Sequence, residues 1–170
     1  MKNDHAATLR LFFALWPEPS VRAELASLLP AVQGRKVKPA NLHITLAFLG
    51  RQPVTGIPAL LSIARSIPFP VMRLQIDRLG YFARRRIAWA GMQHSPPELA
   101  TVRCALTDAL VRAGIHFDAD SPFRPHVTLA RDAVAPAATH TGPVIWTPAG
   151  IKLVSSVPGP TGVAYQVLDS

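Results

Sequence analysis

At 170 residues, 49% hydrophobic and 16% charged, the chain is long enough to bury a core and too apolar for intrinsic disorder, even with 17 prolines and 10 glycines. Its one cysteine, Cys104, excludes an internal disulfide and the common cysteine-rich zinc sites, and it suits a reducing cytoplasm. The net charge of +8 is mostly arginine, which points to a phosphate-bearing or nucleic-acid partner, or simply to a well-solvated surface.

Residues 9–15 read as a buried strand. The apolar run from Leu11 to Trp16 lies between Arg10 and Pro17 and is too short for a signal-peptide core or a membrane span, so no membrane partner is expected. Pro17, Glu18, Pro19 and Ser20 open a helix with Val21, Leu25, Leu28 and Leu29 on one face, and Pro30 closes it. A basic loop at 34–39 leads into a strand over 42–49, which Gly50 stops. Ile57, Leu60, Leu61 and Ala64 mark a shorter helix. Strands over 71–79 and 87–92 form a hairpin whose tip, 80–86, is basic and aromatic. Ser95 and Glu98 have capping-box spacing ahead of a helix striped by Leu99, Val102, Leu106 and Leu110, and Gly114 ends it. Further strands are expected at 123–131, 144–155 and 163–168, with a loop at 133–142. Several connections are too short for parallel crossovers, which predicts an α+β fold of largely antiparallel sheet in one domain, 1–170.

One pattern occurs twice. His43-Ile44-Thr45-Leu46-Ala47 returns as His126-Val127-Thr128-Leu129-Ala130, each in an expected strand. Side chains alternate along a strand, so each His and Thr share one face while the apolar neighbours pack behind. A pair of similar buried strands would not need the same polar residues twice. Two imidazoles, one neutral and one protonated, can act as base and acid on opposite sides of a phosphorus centre. The threonine hydroxyls can hold the charge that grows on the phosphoryl oxygens, and neither a metal nor a cofactor is required. His5, His94, His116 and His140 have no repeated context and no acidic or cysteine cluster beside them, which argues against a metal site. Asp118 and Asp120 read as loop residues.

The motifs and their flanks, Arg10-Leu11-Phe12-Phe13-Ala14-Leu15, Asn41 through Gly50 and Arg124 through Arg131, resemble the two-histidine (2H) phosphoesterase superfamily. Within it they are similar to the bacterial and archaeal RNA 2′,3′-cyclic phosphodiesterases, also described as 2′-5′ RNA ligases. The resemblance spans most of the chain. It implies two pseudo-twofold lobes with outer helices around a central cleft. It also implies a reaction in which water opens a terminal cyclic phosphate and the 3′ oxygen leaves, giving a 2′-phosphate. It makes His43 the acid, His126 the base, Thr45 and Thr128 phosphate donors and Arg131 a phosphate-side arginine. Phe48 would stack on the terminal base or belong to the core. Tyr81 and Phe82, beside Arg84, Arg85 and Arg86, form a second RNA contact or a solvated hairpin tip. The expected partners are RNA with 2′,3′-cyclic phosphate ends or cyclic nucleotides, met by a monomer. Ligation through a 2′-5′ linkage as the main role, and RNA binding without catalysis, are the alternatives.

Overall fold

The computed structural model describes residues 7–120 and 122–168, so His5 lies outside the described residues. Its elements run β1 (Thr8–Leu15), α1 (Pro19–Ala26), β2 (Arg35–Lys36), β3 (Ile44–Pro53), α2 (Ile57–Ser66), β4 (Leu74–Phe82), β5 (Ile87–Gly91), α3 (Pro97–Arg112), β6 (His126–Arg131), β7 (His140–Trp146), β8 (Ile151–Gly159) and β9 (Gly162–Val167). The strands join in the order β7-β4-β5-β6-β3-β1-β8-β9, with β2 added to β6. Every described pairing is antiparallel, as the short connections require.

That order divides into two runs of four strands that meet at the motif strands. β3 and β6 pair at one point, Ile44 opposite Val127, between the two His-x-Thr triplets. Ile44 and Val127 are both fully buried, so the join is apolar on the side away from the motif side chains. The helices supply that apolar side: Leu25 of α1, Leu60 of α2, and Leu99, Val102, Leu106 and Leu110 of α3 share one core with Leu11, Phe13 and Leu15 of β1. Burying each such large side chain is worth roughly 1.5–3 kcal/mol. Phe12 and Ala14 alternate onto the other face of β1, where they form a smaller cluster with Val154.

The structure moves several boundaries. The first helix stops at Ala26, and Leu29–Ala31 form a separate 3-10 turn, because Pro30 lacks an N–H and disfavours α geometry in the residue before it. Gly50 does not stop its strand; it sits inside β3 at φ +67°. β4 continues through Gly80, Tyr81 and Phe82, so the tip is Ala83–Arg85 with Arg86 left-handed, and it is basic but not aromatic. Pro96, not Ser95, caps α3, and no capping box forms. β6 begins at His126, three residues later than expected. The expected strand at 144–155 is two strands, β7 and β8, broken at Thr147, Pro148, Ala149 and Gly150 and placed in opposite halves of the sheet. β7 also takes in His140, shortening the expected loop.

Candidate active site

The two copies share more than four letters of sequence. In β3, Thr45 pairs with Ala14 and Ala47 with Phe13, which leaves Leu46 without a partner on β1. In β6, Thr128 pairs with Trp89 and Ala130 with Ala88, which leaves Leu129 without a partner on β5. Each motif strand therefore carries a bulge at the same place, and a bulge reverses the alternation beyond it. Strict alternation would send the residue five after each histidine to the core; the bulge returns it to the histidine's face. That residue is Phe48 in one copy and Arg131 in the other, and both are exposed. From histidine to this residue the two copies have the same sequence of burial. Extending the Ile44–Val127 register by one residue sets His43 across from Thr128 and Thr45 across from His126.

Each imidazole is anchored the same way. Nδ1 of His43 lies 2.6 Å from the Asn41 carbonyl, and Nδ1 of His126 lies 2.6 Å from the Arg124 carbonyl. A carbonyl only accepts, so Nδ1 carries the proton and Nε2 is left to gain or lose one. In the first copy Nε2 accepts from the Thr45 hydroxyl at 3.0 Å; His126 Nε2 has no such partner among the described residues.

The surroundings differ. His43 is stacked by Trp16 (5.4 Å, 20°), tilted against Phe12 (5.0 Å) and met edge-on by Tyr165 (5.3 Å, 89°). Burial among these rings removes water from the charged form. The Asn41 carbonyl offsets part of that loss, and repulsion from His126 and Arg131 adds to it, so the His43 pKa falls from 6.5 to about 4. His126 touches fewer rings, Phe82 edge-on at 4.9 Å and Trp89 at 6.3 Å. Its pKa is also lowered, first by burial, opposed by the Arg124 carbonyl, then by Arg131 and Arg85.

The structure brings His43, His126, Thr45, Thr128, Phe48, Phe82 and Arg131 to one face. It separates Tyr81 from them. Tyr81 pairs with the buried Ala88 on the core face, and its hydroxyl donates to the Ala133 carbonyl at 3.0 Å, so the expected RNA contact there does not fit its placement. Phe48, 52% exposed, leans on Phe12 at 5.9 Å instead of joining the core. Phe12, Trp16, Tyr165 and Trp89 escaped the sequence reading. Phe12 and Trp16 carried a signal, since they keep the alternation opposite Leu11, Phe13 and Leu15, Phe12 within β1 and Trp16 one residue past its end. Tyr165 reaches His43 only through the β8–β9 pairing. Trp89 lies across Gly80, where a β-carbon would run into its indole ring. No group of three His, Cys, Asp or Glu side chains assembles among the described residues.

Two imidazoles with unprotonated Nε2 atoms, two hydroxyls and a guanidinium on one face form a set that can move protons about a phosphate and hold its charge. The comparisons agree with that chemistry. Residues 16–89 match the LigT-like phosphoesterase family model. The chain is 38% identical over 128 residues to the RNA 2′,3′-cyclic phosphodiesterase of Escherichia coli K12, covering 73% of this chain and 72% of that protein. It is 31% identical to the Thermus thermophilus protein of the same name, covering 95% of this chain and 88% of the relative. E. coli LigT crystallised with 3′-AMP superposes with a TM-score of 0.86 at 29% identity, over 96% of this chain and 97% of that one. With its duplicated His-x-Thr strands on that shared fold, the chain belongs to the LigT-like, two-histidine phosphoesterases.

Proposed function

We propose that the chain hydrolyses the 2′,3′-cyclic phosphate of RNA 3′ ends, or of cyclic nucleotides, to a 2′-phosphate by metal-free catalysis with His43 and His126. One observation carries this: two histidines on paired central strands, each with Nδ1 held by a carbonyl at 2.6 Å and Nε2 left for proton transfer. The activity named for the curated relatives and the 3′-AMP held by E. coli LigT support a nucleotide phosphate as the group bound.

In this reading neutral His126 Nε2 takes a proton from water as the water oxygen bonds to phosphorus. Charge gathers on the non-bridging oxygens, where the Thr45 and Thr128 hydroxyls and Arg131 hold it. The bond from phosphorus to the 3′ oxygen breaks in line, and protonated His43 Nε2 delivers its proton to that oxygen. The unequal pKa values support the order. The more acidic imidazolium, His43, serves the leaving group, and the more basic imidazole, His126, serves the water. The productive ionisation state is then the minor one in the free enzyme, and the negative charge of a bound phosphodiester raises it. Protonation of His43 Nε2 ends its role as acceptor from Thr45 Oγ1, which frees the threonine hydrogen for the phosphate.

The working unit is proposed to be one two-lobed domain, a monomer, in the cytoplasm, where the free, exposed Cys104 thiol stays reduced. No described helix is long and apolar enough to cross a membrane. A short unstructured RNA ending in a cyclic phosphate tests the proposal in the presence of a chelator. The expected product is the 2′-phosphate at an undiminished rate; a 3′-phosphate product, or activity restored only by a divalent ion, contradicts it.

A further inference from the structure

The mechanism uses one arginine, Arg131, of several that converge at its end of the cleft. β2 lays Arg35 opposite Arg131 and Lys36 opposite Ala130. The turn between β4 and β5 meets the end of β6 from the other side, where the Ala133 N–H donates to the Arg86 carbonyl at 2.9 Å. Arg86 and Asp132 both adopt left-handed backbone, φ 51° and 49°, so two tight corners are folded against each other. A third corner, Gly34, has φ +125°, and a β-carbon there would stand 2.8 Å from both the Ala133 α-carbon and the Arg131 carbonyl oxygen. Glycine is what allows β2 to approach this closely. Arg35, Lys36, Arg84, Arg85, Arg86 and Arg131 are all exposed. Asp132, 3.2 Å from Arg35 Nε, is the only carboxylate in these three segments.

The equivalent edge in the other half is built differently. Past Phe48, β3 keeps β1 on one side and gains no further strand on the other among the described residues. The Asp118 N–H donates to the Phe48 carbonyl at 2.9 Å, and a groove of about 660 Å³ opens between Phe48 and the segment carrying Asp118 and Asp120. Arg51, paired with Arg10 of β1, balances those two carboxylates, so the Phe48 end is mixed in charge while cations crowd the Arg131 end, and a polyanion is drawn more strongly to the Arg131 end.

We infer that this basic rim binds the phosphodiester backbone of the nucleotides 5′ of the reacting end, so that the preferred substrate is a single-stranded RNA terminus several nucleotides long rather than a free cyclic mononucleotide. The inference rests on the phosphodiesterase reading above. A cyclic mononucleotide has its one phosphate between the histidines and leaves the rim empty. An RNA strand extends further phosphates over guanidinium groups held on fixed corners, a match that is electrostatic and indifferent to base sequence. Arg35 and Arg84 take no part in the reaction and so separate strand binding from chemistry.

The test compares kcat/KM on cytidine 2′,3′-cyclic phosphate and on an RNA of about eight nucleotides with the same terminus, for the wild type, Arg84→Glu and Arg35→Gln, over a range of salt. The wild type should prefer the oligonucleotide, and salt should erode the preference. Arg84→Glu should lower kcat/KM on the oligonucleotide about 10-fold while the mononucleotide stays within about 2-fold. Its salt slope should flatten by about 0.7 for each phosphate it no longer holds. Arg35→Gln should act in the same direction, less strongly. Equal losses on both substrates, no loss on either, or no length preference in the wild type would overturn the rim. Fluorescence anisotropy with the same RNA separates the two claims: a wild type that turns over neither substrate yet binds RNA more tightly than Arg84→Glu defeats the phosphodiesterase reading and leaves the rim standing. Equal affinities defeat the rim whatever the turnover.

Discussion

The motif strands β3 and β6 start from the same plan and end in opposite chemistry. Each places a histidine, a threonine two residues on, a bulge, and a fifth residue returned to the histidine's face. Around His43 the plan is filled with aromatic rings, and its fifth residue is Phe48 beside an open groove. Around His126 the rings are fewer, the fifth residue is Arg131, and β2 brings more positive charge alongside. Duplicated strand geometry thus supplies two histidines on one face, which the proposed mechanism uses as acid and base on either side of one phosphate. The neighbours, not the strands, then make them unequal, and in the proposed function they orient the nucleotide with its base toward Phe48 and its phosphates toward Arg131.

Breaking the shared part should cost most. His43→Ala and His126→Ala should each lower kcat by at least about 10²-fold, the usual worth of a general acid or base, with folding intact by circular dichroism. A variant that kept near-wild-type turnover would mean that its copy is scaffold rather than catalyst.

The fifth residues sharpen the contrast. Arg131→Ala removes the guanidinium proposed to hold the phosphate and should raise KM about 10-fold or more, on any base. Phe48→Ala removes a half-exposed stacking surface and should raise KM about 5-fold, with the size depending on the terminal base. The two also differ in pH response. Both histidines have lowered pKa values, so kcat/KM, which reports the free enzyme, should be bell-shaped with its maximum below the ordinary imidazole value of 6.5. Arg131 depresses both groups by repulsion, so Arg131→Ala should move both limbs to higher pH, whereas Phe48→Ala should not move the His126 limb. A profile unmoved by Arg131→Ala would place the guanidinium outside the shared field.

A smaller effect addresses the unequal edges. Gly34→Ala introduces a β-carbon at a left-handed position already 2.8 Å from backbone atoms, and should lower stability by about 1–3 kcal/mol by forcing β2 off β6. Gly114→Ala, also at positive φ but with open space around it, carries the strain without the collision and should lose less. Thermal melts of the pair would show equal losses if β2 docking contributes nothing.

The sequence made His43, Thr45, His126 and Thr128 legible because polar residues recurring on a strand face need a reason, and short connections made antiparallel pairing legible. The bulges were not legible. Leu46-Ala47 and Leu129-Ala130 look like ordinary alternation until their partners on β1 and β5 are known. For the same reason the tie from Tyr81 to Ala133 and the reach of Tyr165 to His43 depend on contacts between distant segments that local pattern does not encode. Thr147 to Gly150 did carry a break signal, Pro148 with Gly150, but apolar residues on both sides made 144–155 read as one strand.

The claim that equal strands hold unequal histidines is tested most directly with an RNA substrate whose 3′ bridging oxygen is replaced by sulfur. Sulfur leaves without a proton, so the substrate makes a general acid unnecessary and leaves the need for a base unchanged. His43→Ala should recover most of its lost rate on this substrate, while His126→Ala stays slow. Selective recovery of His126→Ala would reverse the two roles, and equal recovery, or none in either variant, would contradict the division of labour altogether.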